Sequence, residues 1–91
     1  MAFSVEDRKR MLWHSRRGML ELDLVLLPFA EAHLAGLSDE QLRSYRLLLD
    51  QEDQDLFSWF LRRERPALPE LAAMVDFILA KHLTQGASGL A

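Results

Sequence analysis

Arg16-Arg17-Gly18 followed by Glu21 sets two guanidinium groups, a flexible backbone position and a carboxylate inside six residues. Such a set makes charge-assisted hydrogen bonds and can read a complementary polar surface. Gly18 would cost roughly 1 kcal/mol against alanine in a helix interior. Its expected place is therefore a junction, where it supplies a turn and leaves the backbone uncovered. Glu21 has a local reading, an ion pair to Arg16 or Arg17 in the first turn of the following helix. That reading is compatible with the same junction being presented to a partner.

Bond-making chemistry finds no organised residues. His14, His33 and His82 share no i, i+3 or i+4 spacing and form no His-Glu-x-x-His string. The glycines at 18, 36, 86 and 89 build no phosphate-cradling loop. Cysteine is absent, which excludes thiol catalysis, thiolate metal sites and a disulfide framework. Glu21 and Asp23 stand about 200° apart around a helix and cannot act as a pair. Asp53 and Asp55 lack the oxygen spacing and glycine of a calcium loop, so one of them is expected to cap a helix. The chain is expected to be no enzyme and to hold no metal.

The elements around these residues read as helical throughout, with no period-2 run. A first helix is expected from Ser4 to about Ser15, with Val5, Arg8, Met11, Leu12 and Ser15 along one side. The second, about Met19 to Ala35, is apolar almost all round and so expected to be central. Pro28 inside it predicts a kink or a break into two helices, and Gly36 is the expected terminating residue. Ser38 with Gln41 forms a capping box for a third helix carrying Leu42, Tyr45, Leu48 and Leu49. Asp53 or Asp55 opens a short fourth helix, with Arg62, Arg63 and Arg65 at its negative end. Pro69 opens a fifth, whose face is Leu71, Met74, Val75, Ile78, Leu79 and His82. Trp13, Trp59, Phe57 and Phe60 are most simply core aromatics. The expected architecture is all-α, a compact five-helix bundle over residues 1–84 with a flexible tail at 85–91.

Ninety-one residues with 49% hydrophobic content suit one small domain. No run approaches the roughly 20 apolar residues that span a bilayer, and Glu6 and Asp7 interrupt any signal-like start. No membrane insertion and a cytoplasmic location are expected. Residues 1–17 carry five basic groups against two acidic ones, whereas 38–55 carry six acidic against Arg43 and Arg46. With a net charge of −3, this polarity suits docking on a protein and not on nucleic acid.

Arg17-Gly18-x-x-Glu21, with Trp13 before it and Leu22-Asp23 after it, resembles the motif of the small assembly-factor family that promotes covalent FAD attachment to the succinate dehydrogenase flavoprotein. A second stretch, Asp53-Gln54-Asp55-Leu56-Phe57-Ser58-Trp59, is similar to that family's Asp-x-Asp-Leu-aromatic-x-Trp signature. Leu37 to Glu40 and Pro66 fall where the family has similar residues, so the likeness covers roughly residues 10 to 80. The resemblance implies a dedicated chaperone of the immature flavoprotein subunit, extending to fumarate reductase, with no catalytic residue of its own. It implies that FAD is bound covalently by a histidine of the client at the flavin 8α carbon, and that this chain holds no cofactor. It implies a partner-binding surface of Arg17, Gly18 and Glu21, supported by Arg16 and Trp13, on a protein expected to be a monomer. The family resemblance also admits an antitoxin of a toxin–antitoxin pair as an alternative.

Overall fold

Ser4 starts the chain's first helix by accepting a hydrogen bond from the Asp7 backbone N–H while the Asp7 carboxylate accepts from the Ser4 N–H, a complete capping box. The computed structural model describes residues 3–90, with side chains through residue 83. Five helices follow in order: α1 (Val5–His14), α2 (Leu20–His33), α3 (Asp39–Leu49), α4 (Asp53–Phe60) and α5 (Pro69–Leu90), with a 3₁₀ turn, Leu34–Gly36, after α2. The architecture is the all-α bundle expected. The expected tail at 85–91 lies outside the residues whose side chains are described.

The core is where the apolar faces of α2, α3 and α5 meet. Phe29 of α2 touches Tyr45 of α3 at a ring-centroid distance of 5.4 Å and Phe77 of α5 edge-on at 5.9 Å. Leu22, Leu26, Leu42, Leu48, Leu56, Val75 and Ile78 close around them, all fully buried. The faces read for α3 and α5 supply this core as expected: Leu42, Tyr45, Leu48 and Leu49, then Leu71, Met74, Val75 and Ile78, are buried. Ser38 and Gln41 form the capping box of α3, and Pro69 is the first residue of α5.

Several local expectations are corrected. Of the kink or break expected at Pro28, the break does not occur, and α2 runs through the proline as one helix. Proline removes one backbone hydrogen bond, while Leu22, Leu26, Phe29 and Ala30 pin both halves of the helix to the core. Gly36 does not take the left-handed conformation of a helix terminator, because α2 tightens into the 3₁₀ turn that ends on it. Neither Asp53 nor Asp55 caps α4. Glu52 holds the cap position without a side-chain bond, and both aspartates lie in the first turn, where the helix dipole favours them.

Helix α2 is central on one side only. Leu20 and Leu24 are 68% and 58% exposed, since a five-helix chain has too few elements to surround it. On α1 the expected stripe divides: Met11 and Ser15 are buried, Val5 and Leu12 are exposed. Trp13 is not a core residue, being 73% exposed, whereas Phe60 is buried and Phe57 and Trp59 are half-buried.

Helix α4 ends in a Schellman pair, with Arg63 N–H bonded to Ser58 O and Arg62 N–H to Trp59 O. Arg62 occupies the left-handed position with φ 61°, where glycine is the usual residue. Its guanidinium and that of Arg65 both bind Asp76 on α5, at 2.7 and 3.0 Å. Hydrogen bonds from Arg65, then Arg62, hold the Asp76 carboxyl down at about 2.

Candidate functional site

The α1–α2 junction is built from a buried serine outward. Ser15, fully buried at the end of α1, donates its hydroxyl to the Met11 carbonyl at 2.8 Å. Its one proton is thereby used, so the Tyr45 hydroxyl donates to Ser15 Oγ, 2.5 Å away. Burial pushes the Tyr45 phenol up to about 12. The pair ties the end of α1 to the middle of α3.

Two residues later Arg17 turns inward. Its side chain is only 15% exposed, and Nε donates to Asp53 Oδ1 at 2.8 Å. Nη1 donates to the carbonyls of Leu49 at 2.8 Å and His14 at 3.3 Å, and Nη2 donates to the Gln51 carbonyl at 2.8 Å. The backbone N–H of Arg17 donates to Asp23 Oδ1 at 2.8 Å. One guanidinium therefore binds carbonyls left unpaired where α3 ends and the carboxylate that opens α4. Arginine suits this place because its planar fork presents several donors in fixed directions at once.

Gly18 follows with φ +84°, a conformation that L side chains rarely adopt. A Cβ there would meet nothing within 4 Å, so the glycine answers to backbone geometry and not to lack of room. Met19 is extended, α2 starts at Leu20, and Glu21 sits in its first turn. Glu21 is exposed, and among the described residues it carries no ion pair. The expected pairing of Glu21 with Arg16 or Arg17 is thus not formed, because Asp53 and three carbonyls occupy Arg17.

The five residues singled out in the sequence consequently divide. Trp13, Arg16, Gly18 and Glu21 are exposed at the junction, while Arg17 is directed into the bundle beneath them. Trp13 and Arg16 share a shallow groove of about 240 Å³ with Lys9, Leu12, Leu27 and Glu31. Asp23, Ser15, Tyr45 and Asp53 are the residues that local reading of the sequence missed as parts of this site. Asp53 was visible in the second motif, but a partner 36 positions away obeys no helical spacing rule. Among the described residues no three His, Asp or Glu side chains come together as a metal site, and no helix is long and apolar enough to cross a membrane.

Comparison with known proteins places the chain among relatives of similar length. Residues 9–82 match the family model described as flavinator of succinate dehydrogenase. The chain is 51% identical over 73 residues to the FAD assembly factor SdhE of Pseudomonas aeruginosa, covering 80% of this chain and 87% of the relative. It is 46% identical over 77 residues to the protein of that name from Photobacterium profundum, covering 85% and 88%. To the Vibrio parahaemolyticus protein of that name it is 40% identical over 83 residues, covering 91% and 96%.

Proposed function

The chain belongs to the family of flavinators of succinate dehydrogenase, and from that premise we propose that it is an FAD assembly factor. It binds the immature flavoprotein subunit of succinate dehydrogenase and promotes covalent attachment of FAD there. The observation that carries the site assignment is Glu21. It is an exposed carboxylate with no internal ion pair, next to a glycine turn whose geometry Arg17 holds from below.

The role of each residue follows from its position. Glu21 and Arg16 supply opposite charges to polar groups of the client, and Trp13 adds a large exposed ring whose burial favours association. Gly18 lets the client approach the backbone closely. Arg17 contributes by fixing the turn, since four of its guanidinium's five N–H donors are already used. A rigid turn presented in advance lowers the ordering cost of binding. The client's FAD-binding and capping domains are held so that its own histidine faces the flavin, and correct orientation lowers the barrier. This chain supplies no bond-making group and holds no FAD itself, a reading supported by the absence of a phosphate-cradling loop in its sequence. It acts as a cytoplasmic monomer, and fumarate reductase is a second client. The relatives' names speak for flavinylation and not for the antitoxin alternative.

In-gel flavin fluorescence of the denatured flavoprotein, produced with and without this chain, tests the function. The signal rises with the wild-type chain and falls back with Glu21→Ala. A client that needs an assembly factor and shows no change with the wild-type chain would overturn the assignment.

A further inference from the structure

Five of the large apolar side chains exposed among the described residues lie on the two helices that flank the junction: Val5, Leu12 and Trp13 on α1, Leu20 and Leu24 on α2. Between α1 and α2 a groove runs away from the junction. Its near stretch holds Trp13 and Arg16, its far stretch holds Val5 and Arg8, and Lys9, Leu12 and Glu31 line both. Each stretch encloses about 240 Å³. An apolar floor this accessible costs free energy while it faces water, at about 25 cal/mol per Å².

The charges on its walls are unequal. Arg8, Lys9 and Arg16 line it against the single carboxylate of Glu31. Lys9 reaches only Glu6, at 3.9 Å with both side chains mostly exposed. Arg8 and Arg16 have no ion pair among the described residues, and the buried Nε of Arg8 has no acceptor among them either. The groove is therefore apolar along its floor and positive along its α1 wall. It is also continuous with the candidate client-binding surface through Trp13 and Arg16.

We infer that this groove is a second docking element, and that it takes an apolar segment of the flavoprotein client flanked by carboxylates. The inference rests on the proposed function and extends it: the junction reads polar groups of the client, and the groove anchors a segment next to them. The acidic flanks are assigned by the unpaired arginines, because a basic or neutral segment would leave Arg8 and Arg16 without partners as it excluded water from them. The client, and not a second copy of this chain, is taken as the occupant because the groove is continuous with the client-binding junction through Trp13 and Arg16.

Binding of the full chain to purified flavoprotein, measured by calorimetry at two salt concentrations, tests the inference. Leu12→Glu weakens binding at least about tenfold, and Arg8→Gln weakens it less while flattening its salt dependence. Arg43→Glu, on the exposed side of α3, binds as wild type does. Thermal unfolding of each variant separates loss of binding from loss of fold, and Lys9→Glu, at a mostly exposed position, serves if Arg8→Gln is unstable. If Glu21→Ala weakens binding while the groove variants bind normally, the groove inference is overturned and the functional reading stands. Groove variants that change self-association in sedimentation, and not client affinity, overturn it in favour of a second copy. A wild-type chain that neither binds the flavoprotein nor raises its flavin fluorescence removes the functional reading, and the groove inference with it.

Discussion

Arg17 Nε and Asp53 Oδ1 lie 2.8 Å apart across 36 positions of sequence, joining the two stretches that carry the family likeness. Asp53 stands in the first turn of α4 and Arg17 just beyond α1, so this contact and the Leu49 and Gln51 carbonyls draw three chain segments to one point. The contact belongs to packing, and it holds the turn that displays Gly18 and Glu21, the turn proposed to meet the client.

Truncating Arg17 leaves three carbonyls and a half-buried carboxylate without this donor. Arg17→Ala is expected to destabilise the fold by about 2–3 kcal/mol, seen as a lower denaturation midpoint. Arg17→Lys recovers only part of this, since an ammonium cannot reproduce the fork. A double-mutant cycle with Asp53→Asn should give a coupling of about 1 kcal/mol or more. Additive effects would show that the contact does not hold the junction.

Gly18 separates conformational cost from contact. With φ +84° and open space at Cβ, Gly18→Ala and Gly18→Arg are each expected to cost about 1–2 kcal/mol, equal within a few tenths. Gly18→Asn costs less. Client flavinylation should fall much further with arginine than with alanine, because only the long side chain obstructs a docked partner. Equal flavinylation by the two variants would argue against close approach at this backbone.

Tyr45 sets an alkaline limit. Its folded value of about 12 lies above the ordinary phenol value of 10.0, so below pH 10 the phenol is neutral in both states and its contribution is complete. As pH rises from 10 to 12 the unfolded chain loses the proton and the folded one keeps it, and stability falls through that window. Tyr45→Phe should flatten this limb in chemical denaturation, at a cost near neutral pH of about 1 kcal/mol for the lost hydrogen bond. An unchanged alkaline slope would assign the limb to other groups.

Arg62 tests the end of α4. Arg62→Gly relieves a left-handed backbone worth about 1 kcal/mol and gives up an exposed ion pair that solvent screens and that contributes little. Thermal unfolding is expected to show a small net stabilisation. Asp76, held at about 2 against an ordinary carboxyl value of 3.8, stabilises the fold above pH 3.8 and loses that contribution as pH falls toward 2. Asp76→Asn should therefore weaken the acid dependence in that window, and an unaltered acid limb would count against the Asp76 pairing.

Local physics was legible in the sequence. Ser38 and Gln41 announced a helix start because a capping box lies within four residues, and Leu42, Tyr45, Leu48 and Leu49 announced a buried face because helical periodicity repeats at short range. Gly18 marked a turn for the same kind of reason, and the motif residues Trp13, Arg16 and Glu21 stood out by type and spacing. Only the tertiary structure decided which way these side chains face. Trp13, read as core, projects outward because Met11 and Ser15 already occupy the buried side of α1. Arg17, grouped with the exposed motif, turns inward because the end of α3 and the start of α4 leave carbonyls and a carboxylate that need its donors. Those partners are 32 to 36 residues away. Spacing rules report neighbours along a helix, whereas an ion pair between elements exists only once the bundle has brought them together.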